Sequence, residues 1–354
     1  MYDVIVVGAR CAGSPTAMLL ARAGQRVLLC DKSTFPSDKL STHYIQPQGV
    51  KCLEAWGLLD AVIATNAPAI TSFAVYGAGD ALLFQPPMDG VAYCPRRYLL
   101  DKILVDAAVD AGAELREGFR VDEILMDGET VTGIAGRARG GAQVRESARY
   151  VVGAEGHHSI VADAVSAPMY RDREALTGGY YSYWSGVEMP GAEIYLSDNG
   201  GVLAFPTNDG RVCIAAGGPR ENFDDYRKDI EGGFFAILDG SPKFAARVRA
   251  GKREERWMGT ADVPNFFRKP WGSGWALVGD AGYMKDPTTG FGIADAFRDA
   301  GLLAHALDEV LSGRAAPEDA LGAYQTQRDA AALPIYEMTL QMASGELALP
   351  APAG

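Results

Sequence analysis

The sequence predicts an α/β fold. A Rossmann-like dinucleotide-binding domain is discontinuous, and a mostly antiparallel β region is inserted into it. Three observations carry this expectation. The chain opens on a β-α-β pattern, "DVIVVGARCAGSPTAMLLARAGQRVLLCDK". Aromatic-rich strand candidates separated by turn signals fill residues 168–259. Nucleotide-type and helical stretches then return after residue 265.

The opening unit is the clearest. The run 4–7 is apolar and β-branched, as suits a strand buried on both faces. Residues 12–23 carry Ala17, Leu20 and Ala21 at helical spacing and stop at Gly24. A second apolar run, 26–30, closes on Asp31. In such a unit Gly8 makes the tight turn and Gly13 lets helix and strand approach. The free N–H groups of the helix start, at Cys11, Ala12 and Gly13, face a pyrophosphate. Asp31, followed by Lys32, is placed to accept from a ribose. Arg10 stands where the middle glycine of G-x-G-x-x-G belongs, and its cation can lie beside the phosphates. This fingerprint alone does not choose between NAD and FAD.

Next come a loop that includes Thr42, a helix at about 46–56, and strands at 72–76 and 81–84 around "GAGD". Leu100, Ile103, Leu104, Ala107 and Ala108 recur at spacings of 3, 4 and 7 and predict a helix that ends at Gly112. A hairpin turns at Asp127-Gly128, and "SARYVVGAEG" returns as a strand. "GGYYSYWSGV", "AEIYLSD" and "GGVLAFPTNDGRVCIAAGG" are strands of the inserted region. A helix after Gly292 and two further helical stretches finish the chain. The predicted division is 1–70, 95–167 and 265–345 for the nucleotide domain and 71–94 with 168–264 for the β-rich domain. Residues 346–354 form a disordered tail.

Composition narrows the function. Of 354 residues 48% are hydrophobic and 22% charged, which is ordinary for a globular protein. The net charge of −12, without a basic cluster, argues against nucleic acid. No apolar run reaches the roughly 20 residues of a membrane span. The N-terminus enters a strand directly, without a signal peptide. The five cysteines are widely spaced, with no C-x-x-C pair, so neither zinc nor a disulfide framework is signalled, and a cytoplasmic setting is expected. Oligomeric state stays open.

The stretch "WALVGDAGYMKDPTTGFGIADAFRDAG" is the most specific. A strand ends in Gly279-Asp280, placing a carboxylate where it can bind a polyol. Pro287 fixes the following loop, and Gly290, Phe291 and Gly292 lead into a helix with Ile293, Ala296, Phe297, Ala300 and Leu303 on one face. The free N–H groups at that helix start favour negative charge, such as the N1 and O2 edge of a reduced isoalloxazine carries.

"GDAGYMKDPTTGFG" resembles the G-D-A-x-x-x-x-x-P-x-x-G-x-G segment of the FAD-dependent aromatic hydroxylases typified by p-hydroxybenzoate hydroxylase. Geranylgeranyl reductases and flavin-dependent halogenases share that fold. The resemblance implies FAD, with Asp280 on the ribityl chain and residues 287–292 along the ring. "RRYLLDKIL" is similar to the family's R-x-x-x-D-x-x-L helix and implies Arg97 near the pyrophosphate and ribityl chain. Val121 sits where the family contacts adenine. "GAEGHHSIVADAV" resembles D-G-x-x-S-x-x-R, with Glu155 in place of Asp and Ala162 in place of Arg, the latter a departure from the usual NADPH contact.

His43, in "KLSTHYIQPQG", is the candidate catalytic residue, because the segment is expected beside the ring and His suits acid–base work. Tyr181, Tyr183 and Phe205 are candidate substrate-binding residues on one face of the aromatic strands. No metal-ligand spacing is found. The expected activity is a monooxygenase, hydroxylase or epoxidase, acting on an apolar, aromatic small molecule with NAD(P)H as transient reductant and O2. The alternative is a C=C reductase. A halogenase is disfavoured because no W-x-W-x-I-P stretch occurs, and a non-catalytic FAD-binding module is disfavoured by the intact flavin loop.

Overall fold

The computed structural model describes residues 1–41, 43–197 and 200–346. Three sheets organise the chain.

The first sheet has a parallel centre. Trp275–Leu277, Val144–Gly153, Tyr2–Val7, Val27–Cys30 and Glu114–Arg116 lie side by side in that order. The central strands are apolar because helices cover one face and the hairpin Phe119–Asp127 and Thr130–Ala138 adds to the other cover. The register brings Val7 level with both Cys30 and Gly153, and Gly153 level with Leu277. The chain therefore leaves all of these strands at one edge, at Gly8, Asp31, Ala154 and Val278. Open α/β sheets bind ligands in the crevice outside that edge.

Gly13–Arg22 and Gly292–Leu311 pack on each other and on the sheet. Every position expected on the inner face of the second of these helices, Ile293, Ala296, Phe297, Ala300 and Leu303, is buried. Arg97–Asp110 packs beside the first helix and buries Leu100, Leu104, Ala107 and Ala108.

The second sheet runs Lys252–Arg253, Thr177–Ser185, Val212–Pro219, Gly200–Pro206, Ala192–Ser197, Phe73–Gly77 and Ala81–Phe84. Its pairs are antiparallel except that between Ala192–Ser197 and Phe73–Gly77. Alternation decides its faces. Trp184, Val202, Ala204 and Ile214 face a layer of helices, Ile230–Leu238 and Pro242–Ala250. Tyr181, Tyr183, Leu203, Phe205, Cys213 and Ala215 face the other way. The inserted region, expected to be mostly antiparallel β, thus also carries a layer of helices. The first of these helices buries Phe234, Ile237 and Leu238, a stripe at spacings of 3 and 4, against the sheet.

A small third sheet pairs Asn265–Arg268 with Met169–Arg173 and Tyr283–Met284. The chain ends on one helix, Pro317–Ala343, in place of two stretches; Pro334 lies inside it. Of the tail 346–354 expected to be disordered, residues 347–354 lie outside the described residues.

Candidate active site

The turn after the first strand is held by its own backbone and by Asp31. Gly8 N–H donates to Cys30 O at 2.7 Å, and Ala9 N–H to Asp31 Oδ2 at 2.8 Å. Ser33 N–H reaches the other oxygen, Asp31 Oδ1, at 2.7 Å. Asp31 therefore ties two loops together besides any ribose contact. Gly8 has a φ of +101°, and a Cβ on it would lie 2.6 Å from the Ala154 carbonyl oxygen. At Gly13 a Cβ would lie 1.8 Å from the Gly8 carbonyl oxygen. Both glycines are thus demanded by the protein's own backbone. Ala12 and Cys11 are buried at the helix start.

Arg10 turns toward an acidic anchor. Its guanidinium pairs with Asp101 at 2.5 Å and donates to Ser37 Oγ at 2.9 Å. Asp101, fully buried, is also gripped by Arg97, with Nε–Oδ1 at 3.0 Å, and lies 3.5 Å from Cys11 Sγ. Burial pushes the Cys11 thiol up to about 12, so it stays protonated. Two arginines on one carboxylate leave an excess of positive charge. Lys39 reports it: partial burial first, then the charges of Arg10, Lys32 and Arg97, lower its ammonium from the usual value, while Asp280 raises it.

Asp280 is solvent-accessible yet surrounded by protein, as befits a carboxyl on a cleft wall. Burial raises its pKa, against the lowering charges of Lys285, His157 and Arg97. Gly279 before it has a φ of +62°, and a Cβ there would meet Ala12 Cβ at 2.7 Å, so this turn rests on the first helix start. The loop that follows is braced by Asp286, which accepts from Thr288 N–H at 3.0 Å while its own N–H donates to Asn265 Oδ1 at 2.7 Å. Pro287 is exposed and Gly290 adopts a φ of +67°. Phe291 is half-buried within 6.0 Å of the Lys285 ammonium. A Cβ on Gly292 would meet nothing within 4 Å, so the protein leaves the start of this helix open. Val121, half-buried on its strand, packs against the core under the first sheet that also holds Val7, Cys30 and Ala281. Thr42 lies outside the described residues.

His43 is fully buried and sits at a φ of +60°, a left-handed conformation rare for a residue with a Cβ. Its Nε2 shares a hydrogen bond with the Tyr183 hydroxyl, and its ring stacks on Tyr183 at 5.7 Å and meets Tyr181 edge-on at 6.1 Å. Nδ1 has no partner among the described residues. Burial, then the charges of Arg97 and Arg96, drive its pKa well below the usual value, so the imidazole is neutral. On the far side of Tyr183 the Arg96 guanidinium lies 3.7 Å from the ring centroid, itself fixed by Glu255 and Asp38. Phe205 is covered by Tyr44 at 4.8 Å. Tyr44 in turn abuts Gly290, and Gln46 donates to Thr289 O at 3.2 Å. All three candidate substrate rings are thus enclosed by protein.

Sequence reasoning missed Lys39, Tyr44, Arg96, Lys285 and Asp286. Only Asp286, preceding Pro with Thr two residues on, carried a local signal. His157 and His158 lie on a turn beside the cleft, and His305 is exposed on its helix.

The residues fit FAD. The two glycines bring backbone N–H groups together at a helix start, Arg10, Lys39 and Arg97 gather beside it as a diphosphate would require, Asp280 has the acceptors a polyol would need, and Gly292 leaves a helix N-terminus accessible. These features define a dinucleotide-type flavoprotein site outside the carboxyl ends of a parallel sheet. Residues 1–339 match the family described as FAD binding domain. The chain belongs to that family: it is an FAD-dependent oxidoreductase, as "GDAGYMKDPTTGFG" implied.

The chain is 28% identical over 313 residues to digeranylgeranylglycerophospholipid reductase 2 of Methanopyrus kandleri, covering 82% of this chain and 73% of that one. It is 27% identical over 363 residues to rifampicin monooxygenase of Streptomyces venezuelae, covering 96% and 70%. Among solved structures, the myxobacterial chondrochloren halogenase CndH superposes with a TM-score of 0.88 at 23% identity, covering 95% of this chain and 81% of that one. No described helix is long and apolar enough to cross a membrane.

Proposed function

We propose that the protein is a monooxygenase that uses NAD(P)H and O2 to hydroxylate or epoxidise an apolar, aromatic small molecule. The observation that carries this reading is the neutral, buried His43 with its unpartnered Nδ1, set among Tyr181 and Tyr183 and followed by Tyr44 and Gln46, which touch the loop at Gly290 and Thr289. An apolar aromatic wall with one free acceptor suits a flat apolar substrate carrying one hydrogen-bond donor. FAD, when bound, supplies the electron transfer and the activation of oxygen.

The chain's own residues do the rest. Gly8, Arg10, Cys11, Ala12, Gly13 and Arg97 hold the diphosphate end, with Asp31 and Lys32 at the ribose and Val121 at the adenine. Asp280 and Gly279 hold the ribityl chain. Pro287, Gly290, Phe291 and Gly292, with Thr42, border the ring. His43 positions the substrate through Nδ1, while Tyr181, Tyr183 and Phe205 exclude water. In this division residues 1–70, 95–167 and 265–345 carry the cofactor, and 71–94 with 168–264 cover it. The relationship to rifampicin monooxygenase supports the reading.

A second reading, reduction of a C=C bond, is favoured by the archaeal reductase relative and by Ala162 where the hydroxylases place Arg. One experiment separates the two. Candidate aromatic and polyene compounds are incubated with FAD-loaded enzyme and NADPH under 18O2 and under strict anaerobiosis. Oxygen-18 in the product is expected. Product beyond one flavin equivalent without O2 overturns the monooxygenase reading in favour of the reductase.

A further inference from the structure

We propose that His157, His158 and Asp262 form a binding site for one divalent transition-metal ion at the rim of the cofactor cleft.

The site is built by a turn. Strand Val144–Gly153 ends, and Gly156, with a φ of +93°, reverses the chain. Neighbouring residues of an extended strand point to opposite sides. Here the turn lays both imidazoles on one side, their ring centroids 4.0 Å apart. The carboxylate arrives from elsewhere in the sequence. Asp262 lies between Met258–Thr260 and Asn265–Arg268, with its N–H held by Thr260 Oγ1 at 3.0 Å. Both ring nitrogens approach the same oxygen: His157 Nε2 lies 3.0 Å and His158 Nε2 2.8 Å from Asp262 Oδ2.

This spacing suits a metal. The three ligand atoms all lie within 4.8 Å of one another. Ligands bound at about 2.1 Å in neighbouring positions stand about 3.0 Å apart on an octahedral ion and about 3.4 Å apart on a tetrahedral one. Two imidazole nitrogens and one carboxylate oxygen favour Zn(II), Co(II), Ni(II), Cu(II) or Fe(II); Mg(II) and Ca(II) prefer oxygen alone. The His158 and Asp262 side chains are exposed, at 75% and 59%, which gives an ion access and leaves other coordination positions to water or a ligand. The backbone is less free. Arg268 Nη1 donates to the His157 carbonyl at 3.2 Å, and the same nitrogen donates to Ala281 O at 3.0 Å, next to Asp280.

The test uses FAD-loaded protein titrated with ZnCl2 by calorimetry, and with Cu(II) followed by electron paramagnetic resonance. One equivalent is expected to bind, with two nitrogen couplings on Cu(II). His158→Ala and Asp262→Ala should each weaken Zn(II) binding by at least about tenfold, with flavin content and absorbance spectrum unchanged. Absence of Zn(II) and Cu(II) binding overturns the proposal. So does undiminished affinity in both variants, or displacement of Zn(II) by equimolar Mg(II).

Discussion

Gly13 has no room for a side chain, and the atom that forbids it is the Gly8 carbonyl oxygen. Gly13→Ala should therefore cost about 3 kcal/mol even before cofactor is added, read as a lower midpoint of urea unfolding of the apoprotein. An unchanged midpoint would contradict the packing described. Two buried titrating groups act on stability with opposite sign. The folded pKa of His43 lies well below its unfolded value of 6.5. The unfolded chain is protonated first as pH falls, so stability present above 6.5 is lost below it, by roughly 1.4 kcal/mol per pH unit. His43→Asn keeps a residue that tolerates positive φ and should flatten that loss. Glu155 is the reverse: burial raises it to about 7. Its contribution is fully present below its unfolded value of 4.5 and is lost as pH rises through 7. Glu155→Gln should remove this upper slope in melts recorded from pH 4.5 to 8. At this scale the glycines were legible because the positive φ of Gly8 and the contact of Gly13 with the carbonyl five positions back are local requirements. The ion pair of Arg10 with Asp101 was not, since a partner 91 positions away leaves no mark on the pattern around either residue.

Helix Gly292–Leu311 offers the sharpest test at the level of an element. Its inner face is fully packed, while a Cβ on Gly292 would meet open space. Gly292→Ala should leave apoprotein stability unchanged, or raise it by up to about 1 kcal/mol through helix propensity. It should nonetheless weaken FAD binding in fluorescence titration, because the added methyl occupies the cofactor's side. Equal FAD affinity would remove the ring from this helix start. Asp280→Ala should also lose flavin, by leaving a polyol contact unmade. The motif loops and the first β-α-β unit were readable because spacing and turn residues are set within a few positions. The helices Ile230–Leu238 and Pro242–Ala250 were not, because their type is decided by the sheet they cover. Pro317–Ala343 was read as two pieces because proline interrupts isolated helices, whereas here packing of Leu321, Tyr324, Ala332 and Tyr336 carries the helix past Pro334.

The whole molecule carries a net charge of −12, yet its cleft gathers Arg10, Lys32, Lys39 and Arg97. Local cations rather than overall charge should govern cofactor affinity. FAD binding is expected to weaken as KCl is raised from low to molar concentration, while riboflavin, which lacks the diphosphate, shows a much smaller change. Matching salt slopes for the two ligands would relocate the diphosphate away from these residues. The threading of the first sheet has a consequence for synthesis. Strand Val144–Gly153 takes its neighbour Trp275–Leu277 only after the entire second sheet has been made. At roughly 5–20 residues per second, a ribosome needs on the order of ten seconds to deliver it. Through that interval the nascent chain exposes an unpaired apolar strand edge, and the first helix lacks the cover of Gly292–Leu311. Completion of the first sheet therefore waits for the final third of the chain, and the emerging polypeptide should bind a holdase chaperone until that third leaves the exit tunnel.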